Sequence, residues 1–353
     1  MKIAQVSPLF ECVPPRNYGG TERVVSYLTE ELVRQGHEVT LFAAGDSTTR
    51  ARLIAPTAAA ARPDVRRPSW LSAHCIELDM VAAHAHEFDV IHFHTDYLHF
   101  ALARQLDVPH VTTLHGRLDL PELDMLFRHF ADTPLVSISD SQRRPLPEAN
   151  WIATVHHGLP RDLYRFGAQA GGYFLFIGRF SPEKRVDRAI EIARRCGIPL
   201  VIAAKIDDGD LDYFAQRIKP LLADPLVRYA GEIGEREKSE LLRGADALLL
   251  PIDWPEPFGL VMIEALSCGT PVIAYGHGAV PEIVEDGVTG FIVDDQEQAV
   301  EAARRVHMID RRRCRAAFER RFTAERMAAD YLQVYRVLQA QSSKPALQRR
   351  SPW

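Results

Sequence analysis

The chain has no CxxC pair. Its five cysteines, Cys12, Cys75, Cys196, Cys268 and Cys314, are widely scattered and odd in number. That pattern excludes a zinc ribbon and a disulfide framework, and it suits free thiols in a reducing compartment. No stretch approaches the roughly 20 apolar residues of a membrane span. The opening MKIAQVSPLF lacks a long apolar core, so no signal peptide is expected. Charge of one sign is missing too. Residues 1–165 carry 16 Lys+Arg against 20 Asp+Glu, and the remainder carries 26 against 27. Neither half is a polycation, which excludes general nucleic-acid binding and leaves only local patches such as Arg62, Arg66 and Arg67. A cytoplasmic enzyme is the expectation.

What is present is a soluble composition, 46% hydrophobic and 25% charged, over 353 residues. That length suits two domains better than one core. Short apolar runs alternate with amphipathic stretches. Strands are expected at Lys2–Val6, Glu38–Ala43, Val90–Phe93, His110–Leu114, Leu135–Ile138 and Ile152–His156, with a helix at Thr21–Gln35. The polar segment Arg161–Gly172 reads as a linker, after which the alternation restarts. Strands follow at Tyr173–Ile177, Pro199–Ala203, Val227–Ala230, Ala247–Leu250, Pro271–Ala274 and Phe291–Val293. Helices fill the gaps at Val186–Cys196, Leu211–Leu222, Glu237–Arg243, Leu260–Cys268 and Gln296–His307. Such βα alternation predicts an α/β fold with two doubly wound parallel sheets. A last helix, Thr323–Gln339, carries Met327, Tyr331, Val334, Tyr335 and Leu338 at helical spacing, and the polar, basic tail Ser342–Trp353 reads as a frayed end.

Three places could hold an anion. Ligands of doubly wound sheets sit at the carboxyl ends of strands, beside helix N-termini. After the first strand, Asn17-Tyr18-Gly19-Gly20-Thr21-Glu22 places two glycines where a helix begins. Backbone N–H groups there can approach an anion, although the same glycines would serve a plain loop turn. There is no GxGxxG, so a dinucleotide fingerprint is not supported. At the restart, Gly178 and Arg179 end a strand and Lys184 precedes a helix. Two such cations suit a diphosphate, or they are ordinary loop charges with neighbours such as Glu183. Finally, Glu256 and Glu264 flank Phe258-Gly259-Leu260 at a helix start. The N–H groups of that start would bind an anion, and each acid could accept hydrogen bonds from vicinal hydroxyls. The arrangement fits a nucleotide-sugar, or it is a helix-start acid beside a surface acid, both of which are common.

Together these blocks resemble glycosyltransferase family 4, the retaining nucleotide-sugar transferases of the GT-B fold. The likeness rests on Glu256-x7-Glu264 within PEPFGLVMIEALSCGTPV, on Gly178-Arg179 with Lys184, on Gly19-Gly20-Thr21-Glu22, on HHGLP at His156–Pro160 and on GHGAVPEIVEDGVTGFIV at Gly276–Val293. The resemblance implies two Rossmann-like domains facing a cleft that closes. It assigns residues 1–160 to the acceptor and 173–322 to the donor, with 161–172 as linker, 323–341 as a helix crossing back and 342–353 as tail. It implies that Arg179, Lys184 and the backbone of Phe258, Gly259 and Leu260 cradle the diphosphate. Glu264 would hold the ribose, Glu256 the transferred sugar, and Ile233, in Gly231-Glu232-Ile233, the nucleobase region. Gly19 and Gly20 would meet phosphate, and His115, in TTLHG, would lie near the anomeric carbon.

The implied reaction moves a hexose to a hydroxyl of a small-molecule, glycan or lipid-linked acceptor, with UDP-sugar favoured over GDP-mannose. No metal and no other cofactor are expected, and peripheral membrane contact stays open. The acceptor is expected on the loops Ser7–Tyr18, Gly45–Trp70 and Gly116–Arg128. The opening 48 residues resemble a bacterial subgroup with varied acceptors, one of which glucosylates a pterin. The competing readings are a nucleotide-sugar epimerase of the same fold and a non-catalytic donor-binding protein. His84, His86, His92, His94 and His99 invite a metal site, yet His92 and His94 alternate on one strand and suit a polar cleft edge. Asp208-Gly209-Asp210 reads as the start of the following helix.

Overall fold

The computed structural model describes residues 1–16, 19–60 and 69–342. The Arg62, Arg66, Arg67 patch, Asn17-Tyr18, part of the first two acceptor loops and the tail past residue 342 lie outside them. In chain order the elements begin with β1 (Lys2–Val6), α1 (Gly20–Arg34), β2 (Glu38–Phe42), β3 (Arg52–Ile54), α2 (Ser69–His84), β4 (Val90–Phe93) and α3 (Phe100–Ala103). Next come β5 (His110–Thr113), α4 (Pro121–His129), β6 (Leu135–Ser137), α5 (Asp140–Arg143) and β7 (Trp151–Thr154). The second run is β8 (Phe174–Arg179), α6 (Val186–Cys196), β9 (Leu200–Lys205), α7 (Leu211–Tyr213), β10 (Val227–Gly231), α8 (Glu235–Gly244) and β11 (Ala247–Leu250). It closes with α9 (Leu260–Cys268), β12 (Val272–Tyr275), α10 (Val280–Ile283), β13 (Gly290–Val293), α11 (Gln296–Arg305), α12 (Arg311–Arg321) and α13 (Ala324–Ser342).

These elements form two compact units. The first comprises Met1–Ile138, Pro145–Val155 and the C-terminal stretch from Glu325; the second comprises Ser139–Arg144 and His156–Ala324. The first unit has a seven-stranded sheet in the order β3-β2-β1-β4-β5-β6-β7 and the second a six-stranded sheet in the order β10-β9-β8-β11-β12-β13. Every pairing is parallel. Parallel strands need crossovers, which is why helices follow nearly every strand. Strand order reverses between β1 and β4 in one sheet and between β8 and β11 in the other. Those two switch points are where such sheets leave a crevice at their carboxyl ends.

The cores follow from the apolar runs. In the second unit, Phe174, Phe176, Leu200, Ile202, Ala247 and Leu249 are buried against Ile190 and Ala193 of α6 and Ala299 and Val300 of α11. In the first unit, Val6, Phe42, Ile91 and Phe93 pack with Val81 of α2. The stretch 161–172 is fastened to the second unit. Gly167 N–H donates to the Cys268 carbonyl (2.9 Å) and Gly171 N–H to that of Gly244 (2.7 Å). The Arg311 guanidinium is the main clasp. It donates to the carbonyls of Gly167, Ala245 and Arg243 at 2.6–2.7 Å and to Thr270 Oγ1 at 2.8 Å.

One expected helix is broken. Leu211–Leu222 is resolved into α7, a π-type turn over Phe214–Ile218 and a 3-10 turn over Lys219–Ala223. Pro220 lacks the N–H that an α-helix would use there. The Asp208–Asp210 segment is a 3-10 turn that runs directly into α7, as expected; Asp210 stands at the N-cap position of α7 without a side-chain cap bond.

Candidate functional site

The switch point of the second unit gathers most of the residues singled out by sequence. β8 ends on Arg179, and the loop after it carries Lys184. The loop after β11 carries Glu256 and leads into α9. Gly259 caps α9 in the left-handed region, φ 79°, and no side chain caps that end. A Cβ on Gly259 would lie 2.7 Å from Met262 Cε and 3.2 Å from Glu256 Cγ, so the helix start and the acid are built against each other. Gly278, at φ 61°, does the same from the other side. A side chain there would collide with the Glu256 backbone. The Glu256 carbonyl accepts from Ala279 N–H (2.9 Å), and Ser139 Oγ donates to the Pro257 carbonyl (2.6 Å). Phe258 is buried, its ring 4.7 Å from that of His157, which anchors the turn.

The charged groups of this corner are matched. Lys184 Nζ pairs with Glu256 Oε2 and lies 4.8 Å from the Trp254 ring centroid. Arg179 pairs with Asp207 (3.1 Å) and Glu183 (3.2 Å), with Asp210 at 3.9 Å. Asp207 also receives Lys205 at 2.7 Å. Burial works to raise the Asp207 carboxyl, but hydrogen bonds from Lys205 and Arg179 outweigh it and hold it below the usual range. Burial raises Asp210. Asp207 and Asp210, on either side of Asp208-Gly209, thus face Arg179. Gly178 lies in β8 beside Arg179, and a Cβ there would meet only the Phe176 ring, at 3.7 Å.

Glu264, in the second turn of α9, is nearly buried. Its Oε1 receives Lys238 Nζ at 2.8 Å and Tyr164 Oη at 3.4 Å. Lys238 also reaches Glu235 (2.7 Å), as does Tyr164 Oη (2.6 Å). Lys238, Tyr164 and Glu235 were not anticipated. One lies within an expected linker and two on an exposed-looking helix, and nothing in their local pattern points at Glu264. Ile233 is half-buried between β10 and α8.

The first unit holds the remaining candidates at its own switch point. α1 begins at Gly20, as expected, with Gly19 as its cap. The Glu22 carboxylate folds back over that helix start. A Cβ on Gly19 would lie 3.3 Å from its Oε2. Burial, then repulsion from Glu11 and Asp96, push Glu22 up to about 7 against partial relief by backbone N–H groups. An acid therefore already stands at the glycine turn. His115 follows β5, and its Nε2 contacts His94 Nδ1 at 2.9 Å. Burial lowers His115 to about 3. His92, His94 and His99 are fully buried rather than at an edge. They are spent on hydrogen bonds to Gln5, Thr95, Thr112, Thr113, Tyr335 and His115. The strand buries both faces, so their alternation places them in the interior.

Two doubly wound units, each with polar residues at its switch point, define the GT-B class. The chain matches the family Glycosyltransferase Family 4 over residues 18–191 and the family Glycosyl transferases group 1 over residues 168–318. Together they span 18–318, and the chain belongs to the family 4 glycosyltransferases of GT-B fold. It is 28% identical to a D-inositol 3-phosphate glycosyltransferase of Frankia alni, over 80% of this chain and 83% of that protein. It is 30% identical to an uncharacterised 41.2 kDa protein of the Klebsiella pneumoniae cps region, and that match spans 46% of this chain and 45% of that protein. The structure of Anabaena HepE in complex with UDP and glucose superposes with a TM-score of 0.71. It covers 96% of this chain and 100% of that one at 19% identity, a likeness of fold. No helix among the described residues is long and apolar enough to cross a membrane.

Proposed function

We propose that the protein transfers a hexose, with retention, from a nucleotide-diphosphate sugar to an acceptor hydroxyl, and that it needs no metal to do so. The observation that carries this is the second unit's switch point, where the uncapped start of α9, Arg179, Lys184, Glu256 and Glu264 are assembled. A helix N-terminus and two cations suit a diphosphate. Glu256 and Glu264 are held by Lys184 and Lys238, which fixes where their acceptor oxygens stand. Phosphate oxygens arriving at this corner compete with Glu256 for Lys184 and with Asp207 and Glu183 for Arg179. The positive charge is thus already positioned, and binding exchanges one anionic partner for another.

In the reaction the anomeric C–O bond to the diphosphate breaks as the acceptor oxygen bonds to the same face. The acceptor proton passes to the departing phosphate oxygen. Arg179, Lys184 and the backbone of Phe258, Gly259 and Leu260 stabilise the charge that develops there. Glu264 holds ribose hydroxyls, Glu256 hydroxyls of the sugar, and Ile233 borders the base. Gly19, Gly20 and His115 serve the reaction from the first unit. UDP is the favoured carrier, in keeping with the HepE structures that hold UDP and UDP-glucose, and GDP is the second.

Calorimetric titration with UDP, GDP, ADP and TDP without metal tests this. Tight binding of one nucleotide, abolished by Arg179→Ala, is expected. Binding of none removes the nucleotide-sugar reading.

A further inference from the structure

The first unit contains a hydrogen-bonded chain of seven side chains. It runs from His115 through His94, Gln5, Tyr335, His92 and Thr113 to Tyr331. The contacts in that order are His115 Nε2–His94 Nδ1 at 2.9 Å, His94 Nε2–Gln5 Oε1 at 2.9 Å and Gln5 Nε2–Tyr335 Oη at 3.0 Å. Then come Tyr335 Oη–His92 Nδ1 at 2.7 Å, His92 Nε2–Thr113 Oγ1 at 2.7 Å and Thr113 Oγ1–Tyr331 Oη at 2.9 Å. The six members beyond His115 are at most 1% exposed. Gln5 and His92 are register partners on β1 and β4, and both tyrosines come from one face of α13.

A chain of this kind has a direction. The Gln5 amide presents donors at one end and an acceptor at the other. Its nitrogen donates to Tyr335, so its oxygen accepts from His94. The His94 proton is therefore on Nε2, and Nδ1 of that ring carries a lone pair. His115 must then donate from Nε2. A neutral imidazole has one N–H, so the His115 Nδ1 is a lone pair as well. On the far side, Tyr335 accepts from Gln5 and donates to His92 Nδ1, which leaves His92 Nε2–H for Thr113. Rotating the amide by half a turn would reverse every bond and move the His115 proton to Nδ1. Burial, which depresses His115 to about 3, keeps its ring neutral at working pH.

We propose that Gln5 and Tyr335 are positioning residues that hold His115 in its Nε2–H form, so that Nδ1 can only accept a hydrogen bond. A sugar or polyol hydroxyl meets that requirement; a carbonyl oxygen does not. The use of His115 by a substrate rests on the function proposed above, whereas the form of the ring does not.

The test is the nitrogen-15 spectrum of histidine rings in the full-length protein, with His115 assigned by loss of its signals in His115→Asn. The expected wild-type pattern is a protonated Nε2 and an unprotonated Nδ1. Tyr335→Phe removes the acceptor for the Gln5 amide, and Gln5→Leu removes the acceptor for His94. In both, the two His115 nitrogens should move toward each other as the forms mix. Tyr335→Phe is the gentler change and decides the matter if Gln5→Leu does not fold. A protonated Nδ1 in the wild type, or ring signals unchanged in Tyr335→Phe, overturns the proposal. The spectra are taken without donor or acceptor, so they report on this relay even for protein that transfers no sugar.

Discussion

Replacing Lys238 by Met should cost the second unit about 3 kcal/mol, and the loss should be recoverable at Glu264. Lys238 Nζ stands 2.8 Å from Glu264 Oε1, with the two side chains 13% and 5% exposed. At an effective dielectric near 20 the attraction at that distance is about 6 kcal/mol. Desolvation of both ions opposes it, and removing one partner of such a buried pair costs about 3–5 kcal/mol. Partial exposure of Lys238 favours the lower figure. Little remains to replace it. The single proton of Tyr164 Oη is directed to Glu235 at 2.6 Å, against 3.4 Å to Glu264. Glu264 and Glu235 then lose the Lys238 ammonium that they share. Methionine fills a similar volume, which isolates the charge effect. At roughly 2–4 °C per kcal/mol, melting should fall by roughly 6–12 °C. Glu264→Gln in the Lys238→Met background needs no counter-ion and should regain at least about 1.5 kcal/mol. Charge-assisted hydrogen bonds are worth about 1.5–3 kcal/mol, so the loss of the Glu264 carboxylate in Glu264→Gln should weaken UDP binding about 10- to 150-fold. A single variant as stable as wild type, or a double variant no more stable than the single, refutes the reasoning.

Other outcomes follow from the same geometry. Lys184→Ala and Glu256→Ala should each lose most turnover while circular dichroism stays native; wild-type rates in either purified variant would remove their proposed roles. Gly278→Ala should lower melting and donor affinity together, because left-handed backbone costs an L-residue roughly 1–2 kcal/mol and the new Cβ collides with Glu256. An unchanged protein would mean that the loop gives way freely. Glu22, raised from 4.5 to about 7, binds its proton more tightly in the folded state. Its contribution to stability is full below about pH 4.5 and is lost as pH rises to about 7, roughly 3 kcal/mol in all. Glu22→Gln should therefore gain on wild type across that window in urea melts, and parallel pH profiles would contradict it.

Periodicity located much of this fold, and its failures have physical causes. α6 and α9 occupy the expected Val186–Cys196 and Leu260–Cys268, where apolar spacing and a closing glycine act together. α12 was not anticipated. Its sequence RRRCRAAFERR is mostly arginine, and one of those arginines, Arg311, is itself buried against carbonyls. α2 and α4 were also missed, as was the three-residue β3. In the candidate site, residue types and spacing singled out Arg179, Lys184, Glu256 and Glu264. The Arg179–Glu183 pair was legible at a spacing of four, but the partners of Glu264 were not, since Lys238 and Tyr164 are 26 and 100 residues from it. Likewise the apolar stripe of α13 was legible, while the hydroxyls of Tyr331 and Tyr335 reaching Thr113, Gln5 and His92 were not. Those contacts join positions more than 200 residues apart.

The inclusion of α13 in the first unit bears on how the polypeptide is made. A ribosome releases residues 1–155 with β1, β4 and β5 complete, yet the helix that carries Tyr331 and Tyr335 is about 170 residues away. At about 5–20 residues per second, that interval is on the order of 10–30 s. Meanwhile Gln5, His92 and Thr113 line a sheet face with no tyrosine hydroxyl to meet them. The second unit, by contrast, is nearly contiguous and can close as it emerges. Nascent chains should therefore mature in the reverse of their reading order, with the later-encoded half settling first and the earlier half waiting, exposed to chaperones, for the last helix to arrive.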